Sequence, residues 1–185
     1  MMKNLLEKWQ EEGLRPYYFG LGFIQLKLNN EERVHFYHPD LPPIINYEEE
    51  VHDHRYHFHS KILKGSLNNK IYLFEANQNG HHLSQKESCD EKIILTDEQK
   101  EPVKGNLNLF AEMIYTENQS YYMDFHSLHT VQTEHCITWL KRSSYMQDLA
   151  TVIRPRESDK ICPFSKKIDE KTCWDIMYQC LKIEN

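Results

Sequence analysis

The sequence predicts a mainly β fold, a sandwich or a barrel, with one short helix at each end. Three observations carry this prediction. Short runs alternate apolar with polar residues, as half-buried strands do. Asn, Gly and Pro separate these runs at intervals of roughly ten residues. The chain is 185 residues long, which fits one domain.

The elements are predicted in chain order as follows. Residues 2–13 have a helical pattern, and Gly13, Pro16, Gly20 and Gly22 then break it. Period-two alternation begins at Phe23, and the Asn29-Asn30 pair predicts a turn. The predicted strand segments after it are 33–37, 50–63, 70–75, 93–95, 107–110, 113–115, 121–123, 129–131 and 136–140.

The segments between these strands are predicted to be turns and loops. Residues 64–66 and Asn68-Asn69 have the composition of turns, and residues 76–91 are polar and predict a long loop. Asp169 is a candidate helix cap. The predicted layout is therefore a single domain, 1–185, with a helix in 1–15, strands over 20–155 and a helix in 167–184.

Composition and charge exclude several classes of function. The formal net charge is -6 and no long basic run is present, so nucleic-acid binding is not expected. No stretch is long and apolar enough for a membrane span, and residues 1–14 lack the apolar centre of a signal peptide. The five cysteines are odd in number and have no C-x-x-C spacing. We therefore expect reduced thiols in a cytoplasmic protein, with Cys173 and Cys180 packed in a core.

Histidine is the unusual residue of this chain. There are 11 histidines, and six of them fall between residues 35 and 59. Residues two apart on a strand project from the same face, so His52 and His54 can bind one metal ion. His129, on a later predicted strand, is the preferred third ligand, and His126 is the alternative. Three imidazoles leave coordination positions open and suit several divalent metals.

The pattern of His52, His54, Gly65 and His129 resembles the two signature motifs of the cupin superfamily. Within it, the segment VHDHRYHFHSKILKGSLNNKIYLF, residues 51–74, is similar to the thiol dioxygenases, the cysteine dioxygenase group. The resemblance implies an RmlC-like jelly-roll barrel, a double-stranded β-helix, that holds one metal ion inside. It also implies Fe(II) on His52, His54 and His129, oxidation of a small thiol or other small molecule, and a homodimer as a candidate assembly.

The chain departs from the family pattern at defined positions. A glutamate that many cupins have after the histidine pair corresponds to Phe58 or His59. The cysteine that the animal enzymes link to a tyrosine corresponds to His59, and Arg142 lies near the position of that tyrosine. Two alternatives therefore stay open: a non-redox isomerase, lyase or hydrolase using Zn, Ni or Mn, and a cupin that binds a small ligand without catalysis.

Further residues are candidates for supporting roles. A β-bulge would turn His59 inward as a fourth ligand or as a hydrogen-bond partner of a ligand. Arg33, Arg55 and Arg142 are candidates for binding an anionic substrate, because a guanidinium matches carboxylate and phosphate oxygens. Tyr56 is a candidate for the wall of the pocket. No catalytic acid or base is assigned from the sequence.

Overall fold

The computed structural model describes residues 2–41, 43–44, 50–88, 93, 95–158 and 165–182. Strands make up 48% of these described residues and helices 15%, and every strand pairing among them is antiparallel. The predicted mainly β class with short terminal helices is therefore confirmed.

The described part of the chain forms three helices and eleven strands. The helices are α1 (Met2–Glu11), α2 (Asp97–Lys100) and α3 (Glu170–Cys180). The strands are β1 (Pro16–Phe19), β2 (Phe23–Lys27), β3 (Glu32–Tyr37), β4 (Val51–His52), β5 (Phe58–Ala76), β6 (His82–Glu87), β7 (Val103–Thr116), β8 (Ser120–Met123), β9 (Leu128–Gln132), β10 (Cys136–Arg142) and β11 (Ala150–Pro155).

Two groups of strands share the long strand β5. Its first half pairs with β10 and β8, and β10 continues through β3 and β2 to β1. Its second half pairs with β7, from which the order runs through β6, β11 and β4 to β9. Strand β9 then pairs again with β5, so this second group closes on itself.

Strand β5 differs from the prediction, which placed strands at 50–63 and 70–75 with turns at 64–66 and 68–69. The predicted strand 50–63 is interrupted, because β4 ends at His52 and residues 53–57 form no strand before β5 begins at Phe58. The structure has one strand of 19 residues. Gly65 has φ +78°, which lets the chain bend there while its pairing with Cys136 continues. The Asn68 and Asn69 side chains make hydrogen bonds to other strands and do not form a turn.

The polar segment 76–91 also differs from the prediction, because it contains β6. This strand pairs with β11 on one side and with β7 on the other. All six of its residues are half-buried, so it has no apolar and polar alternation to detect. The strand predicted at 93–95 is absent at Ile93 and Leu95, and residue 94 lies outside the described residues. A capping box at Thr96 begins α2 there instead.

The terminal helices pack together against β1, β2 and β3. Leu6 and Trp9 of α1 and Trp174 and Met177 of α3 lie in one buried cluster with the apolar side chains of these strands. Asp169 caps α3 as predicted, since its carboxylate accepts from the backbone N–H of Thr172 at 3.0 Å. No helix in the described ranges is both long and apolar enough to cross a membrane.

Three cysteines are buried as free thiols, Cys173 and Cys180 in this cluster and Cys136 in a second one. Cys173 and Cys180 are 0% and 2% exposed, which confirms the prediction that they pack in a core. Cys136 is buried on β10. Cys89 and Cys162 lie outside the described residues.

Replacing Gly65 by alanine should destabilise the protein. A Cβ there would overlap the backbone oxygen of His135, and the positive φ adds strain of about 1–2 kcal/mol. We expect urea unfolding to show a loss of about 3 kcal/mol or more, within the range of severe steric substitutions.

Gly13→Ala is the matched control for this measurement. Gly13 has φ +75° but no atom within 4 Å of an added Cβ, so only the backbone strain applies. An equal loss of stability in the two variants would contradict the steric explanation at Gly65.

The buried thiols should resist alkylation in the native protein. Burial raises the pKa of Cys136 and of Cys180 to about 12, so almost no reactive thiolate is present at pH 8. Mass spectrometry after iodoacetamide treatment should find both residues unmodified in buffer and modified in denaturant. Labelling of Cys136 at equal rates in both conditions would contradict this prediction.

Candidate metal centre

Strands β4 and β9 bring two of the predicted ligands together. His52 is the register partner of His129, although 77 positions separate them in the chain. His54 follows two residues after His52, and its backbone N–H donates to the Phe125 oxygen at 3.1 Å. Between the two histidines, the Asp53 carboxylate accepts from the Thr151 backbone N–H at 2.6 Å. This hydrogen bond holds residues 52–54 against β11, and the imidazoles of His52 and His54 both lie in the cluster with His129.

The three imidazoles form one compact cluster. The ring centroids lie 5.0 Å apart for His52 and His54, 5.3 Å for His52 and His129, and 5.0 Å for His54 and His129. One ring nitrogen from each residue can be chosen so that all three lie within 4.8 Å of one another. The spacing is close enough for the three residues to bind one metal ion.

Hydrogen bonds hold two of the rings in the orientation that a ligand needs. His129 Nδ1 lies 2.8 Å from the Asn69 side-chain oxygen, and His52 Nδ1 lies 3.3 Å from the Glu50 backbone oxygen. Each oxygen accepts from an Nδ1–H, so this arrangement assigns the proton to Nδ1 and leaves Nε2 with a free lone pair. Such oxygen partners are the usual companions of metal-binding imidazoles.

The pair of Nε2 atoms on His54 and His129 is the strongest sign that a cation fits here. These atoms lie 2.7 Å apart. Burial lowers the pKa of both side chains well below the ordinary value, and the neighbouring histidines lower it further. Both are therefore neutral at pH 7. Since the His129 proton is on Nδ1, His54 Nε2–H donates to His129 Nε2. A divalent ion would replace this shared proton once the His54 proton moves to Nδ1, and it would then accept a lone pair from each Nε2.

A cavity of about 740 Å³ opens at the three histidines. Phe58 packs edge-on against His54 at a centroid distance of 4.8 Å, and Tyr56 lies 5.7 Å from the same ring. The cavity lining also holds the polar pair of His35 and Gln25, with 3.0 Å between Nε2 and Oε1. Burial, followed by the charge of Arg33, lowers the pKa of His35 to about 3. The cavity thus combines aromatic surface with a few fixed polar groups, as ligand sites do.

A buried ion pair stabilises the segment that leads into His52. Arg154 and Glu50 are each 7% exposed, with 3.3 Å between guanidinium and carboxylate. Arg154 also binds Glu87 at 2.6 Å. Charged groups this deeply buried are found when they are paired. By holding the Glu50 side chain, Arg154 helps to position the Glu50 backbone oxygen that accepts from His52 Nδ1.

The structure places the remaining predicted site residues in different environments. Arg33, Arg55 and Tyr56 line the cavity, and the Arg142 guanidinium lies 5.4 Å from the Tyr56 ring centre. His59 is exposed on β5, where its ring lies 5.0 Å from Tyr122 and away from the cluster. No bulge turns it inward, since Phe58 faces the cavity and His59 faces the other side.

The alternative ligand His126 is likewise exposed and packs against Phe125. Among the described residues, the group of three that can hold a metal contains His129 and not His126. The register of β9 explains this, because it sets His129 opposite His52.

Sequence reasoning missed several functional neighbours of the site. The Asn68-Asn69 pair predicts a turn and gives no sign of the role of Asn69. The Glu50–Arg154 pair spans 104 positions with no local signal. Gln25 and His35 lie on predicted strands, but only their pairing in β2 and β3 shows that they face each other. A polar residue at an inward position of an alternating strand was the signal available for Gln25 and Asn69.

Comparison with known proteins identifies no family for this chain. The chain matches no protein-family model, and a search of curated proteins finds no matching sequence.

Proposed function

We propose that this protein is a metal-dependent cupin, a jelly-roll barrel with one Fe(II) ion on His52, His54 and His129 that oxidises a small thiol or a related small molecule. The observation that carries the proposal is the cluster of three imidazoles, two of which have Nδ1 bound by an oxygen acceptor. The resemblance of residues 51–74 to the thiol dioxygenases supports iron over other divalent metals.

The residues of the cavity would bind and orient the substrate beside the ion. When bound, the ion would supply Lewis-acid chemistry and, as iron, one-electron chemistry with O2. Arg33 lines the cavity and offers a guanidinium to an anionic group of the substrate. Tyr56, whose ring centre lies 5.7 Å from that of His54, adds an aromatic side chain beside this ligand. Phe58 and Tyr121 are buried side chains of the same wall and limit the access of water.

A second candidate is a non-redox metal enzyme, an isomerase, lyase or hydrolase. One observation favours it: His59, at the position of the cysteine of the animal thiol dioxygenases, is exposed and lies away from the three histidines. A zinc or nickel ion on the same histidines would then activate water or a carbonyl group of the substrate.

Metal analysis and oxygen uptake decide between these two candidates. The protein is reconstituted anaerobically with Fe(II) or with Zn(II), desalted, and mixed with small thiols in an oxygen-electrode cell. We expect about one equivalent of metal per chain and thiol-dependent oxygen consumption only in the iron form. Stoichiometric metal without oxygen uptake for any thiol would reject the dioxygenase and favour the non-redox enzyme.

The double variant His52→Ala/His54→Ala should lose the metal. Removing two of three imidazoles leaves one ligand, so we expect less than a tenth of the parent's metal content by elemental analysis. The matched control is His126→Ala, because His126 is exposed and outside the cluster. Equal metal content in the double variant and the parent would show that the ion binds elsewhere.

The Asn69→Leu variant should weaken metal binding without removing a ligand. It deletes the oxygen that binds His129 Nδ1, and loss of such a partner typically reduces metal affinity by about 10–100-fold. Asn68→Ala is the matched control, since Asn68 belongs to the other face of β5 and donates to Glu112 at 2.5 Å. Competition with a chromogenic chelator measures both affinities, and equal values would contradict the role of Asn69.

A further inference from the structure

Three arginines and two tyrosines lie close together at the cavity, and all of them except Arg142 line it. Two guanidinium groups lie near the Tyr56 ring centre, Arg33 at 5.3 Å and Arg142 at 5.4 Å. Two lie near the Tyr145 ring centre, Arg142 at 4.3 Å and Arg55 at 4.6 Å. We call these five residues the arginine–tyrosine stack. It begins beside the metal ligand His54, 5.7 Å from Tyr56, and ends at Tyr145, which is 53% exposed.

The three guanidinium groups of the stack have only neutral hydrogen-bond acceptors in the described part of the chain. Arg33 donates to the side-chain oxygen of Gln25 at 3.4 Å. Arg142 and Arg55 donate to the backbone oxygens of Ser143 and Asp148 at 2.9 and 3.4 Å. The Nε–H groups of Arg33 and Arg142 are buried and have no acceptor among the described residues. Buried donors without an acceptor are rare, because each costs about 1–3 kcal/mol.

The acidic groups of the same cavity are already engaged. Glu50 and Glu87 are held by Arg154, and the Asp53 carboxylate accepts from Thr151 and Gln147. The acids are therefore not positioned to neutralise the stack. Three adjacent positive charges in a protein with a formal net charge of -6 lack a negative partner within the described residues.

From this arrangement we propose that the arginine–tyrosine stack is an anion-binding subsite for a ligand group with two negative charges, either a phosphate monoester or a pair of carboxylates. A single carboxylate would neutralise one of three guanidinium groups, whereas a dianion can accept from Arg33 and Arg142 together. Planar guanidinium groups held on aromatic faces are oriented for such two-point binding.

This inference rests on the proposed function in one respect: it names the substrate of the metal site. Since the stack runs from Tyr56 outward, a ligand bound there would reach from the histidines to the cavity entrance. The substrate would be a small molecule with its reactive group at the metal and its dianionic group at the stack. A simple monocarboxylate thiol would fill only the inner part.

Calorimetric titration of the full-length protein tests the subsite directly. Inorganic phosphate, succinate and acetate are titrated at pH 7.5 and constant ionic strength, with the protein as purified and after chelator treatment. We expect the dianions to bind at least about tenfold more tightly than acetate, as charge-assisted hydrogen bonds to a second guanidinium imply. Preference for phosphate over succinate would identify a phosphate monoester, and the reverse would identify a dicarboxylate.

Two variants and a control assign the binding to the stack. Arg142→Gln and Arg55→Gln should each lower the affinity for the preferred dianion, about tenfold or more for Arg142 and less for the outer Arg55. Arg156→Gln, an exposed arginine outside the cavity, should leave it unchanged. Circular dichroism and thermal melting confirm that each variant is folded.

The outcomes separate this inference from the proposed function. Equal binding of acetate and the dianions, or unchanged dianion binding in folded Arg142→Gln, overturns the subsite while leaving metal content unaffected. Dianion binding that persists after chelation, in a protein that never takes up metal, supports the subsite and rejects the metal-dependent enzyme.

Discussion

The double pairing of strand β9 is the constraint on which the site depends. On one side His129 pairs with His52 of β4, and on the other it pairs with Ile71 of β5. Asn69 is two residues from Ile71 on the same face of β5, so its side chain reaches the His129 ring. One strand thus holds the third histidine, sets it beside the first, and places it within reach of a hydrogen-bond acceptor. A change of register by one residue would break all three relations at once.

The cavity has two regions that differ in charge. Near the three histidines no positive charge is unpaired among the described residues, because burial keeps His54 and His129 unprotonated. The nearby carboxylates are paired with Arg154 or accept from backbone and amide donors. Toward the entrance three guanidinium groups stack on two tyrosine rings. A metal ion favours the first region because its ligands must be neutral or anionic. An anion favours the second, where fixed donors attract it from solvent.

Strand β5 shows how local sequence and tertiary pairing disagree. Its Lys64-Gly65-Ser66 and Asn68-Asn69 segments have turn composition, yet the strand continues because β10, β7 and β9 supply backbone partners along its length. Gly65 keeps part of the predicted role, since its positive φ bends the strand. Strand β6 shows the opposite difference: its polar sequence predicts a loop, yet it forms a strand because β7 and β11 supply backbone hydrogen-bond partners on both of its edges. Propensity is a weak guide where neighbouring strands determine the backbone.

The sequence by itself determined the mainly β class and the two terminal helices, because both follow from periodicity within a few residues. It paired His52 with His54 as residues of one strand, whereas β4 ends at His52 and the hydrogen bond of Asp53 to β11 holds the segment that carries His54. It also pointed to His129, but it left His126 open. Only the tertiary structure decided between them, through the register of β9 against β4. The same holds for Asn69, for the Glu50–Arg154 pair and for the arginine–tyrosine stack, whose members come from residues 33 to 145. These contacts join residues that are distant in the chain, and no local pattern encodes which distant strands will be neighbours.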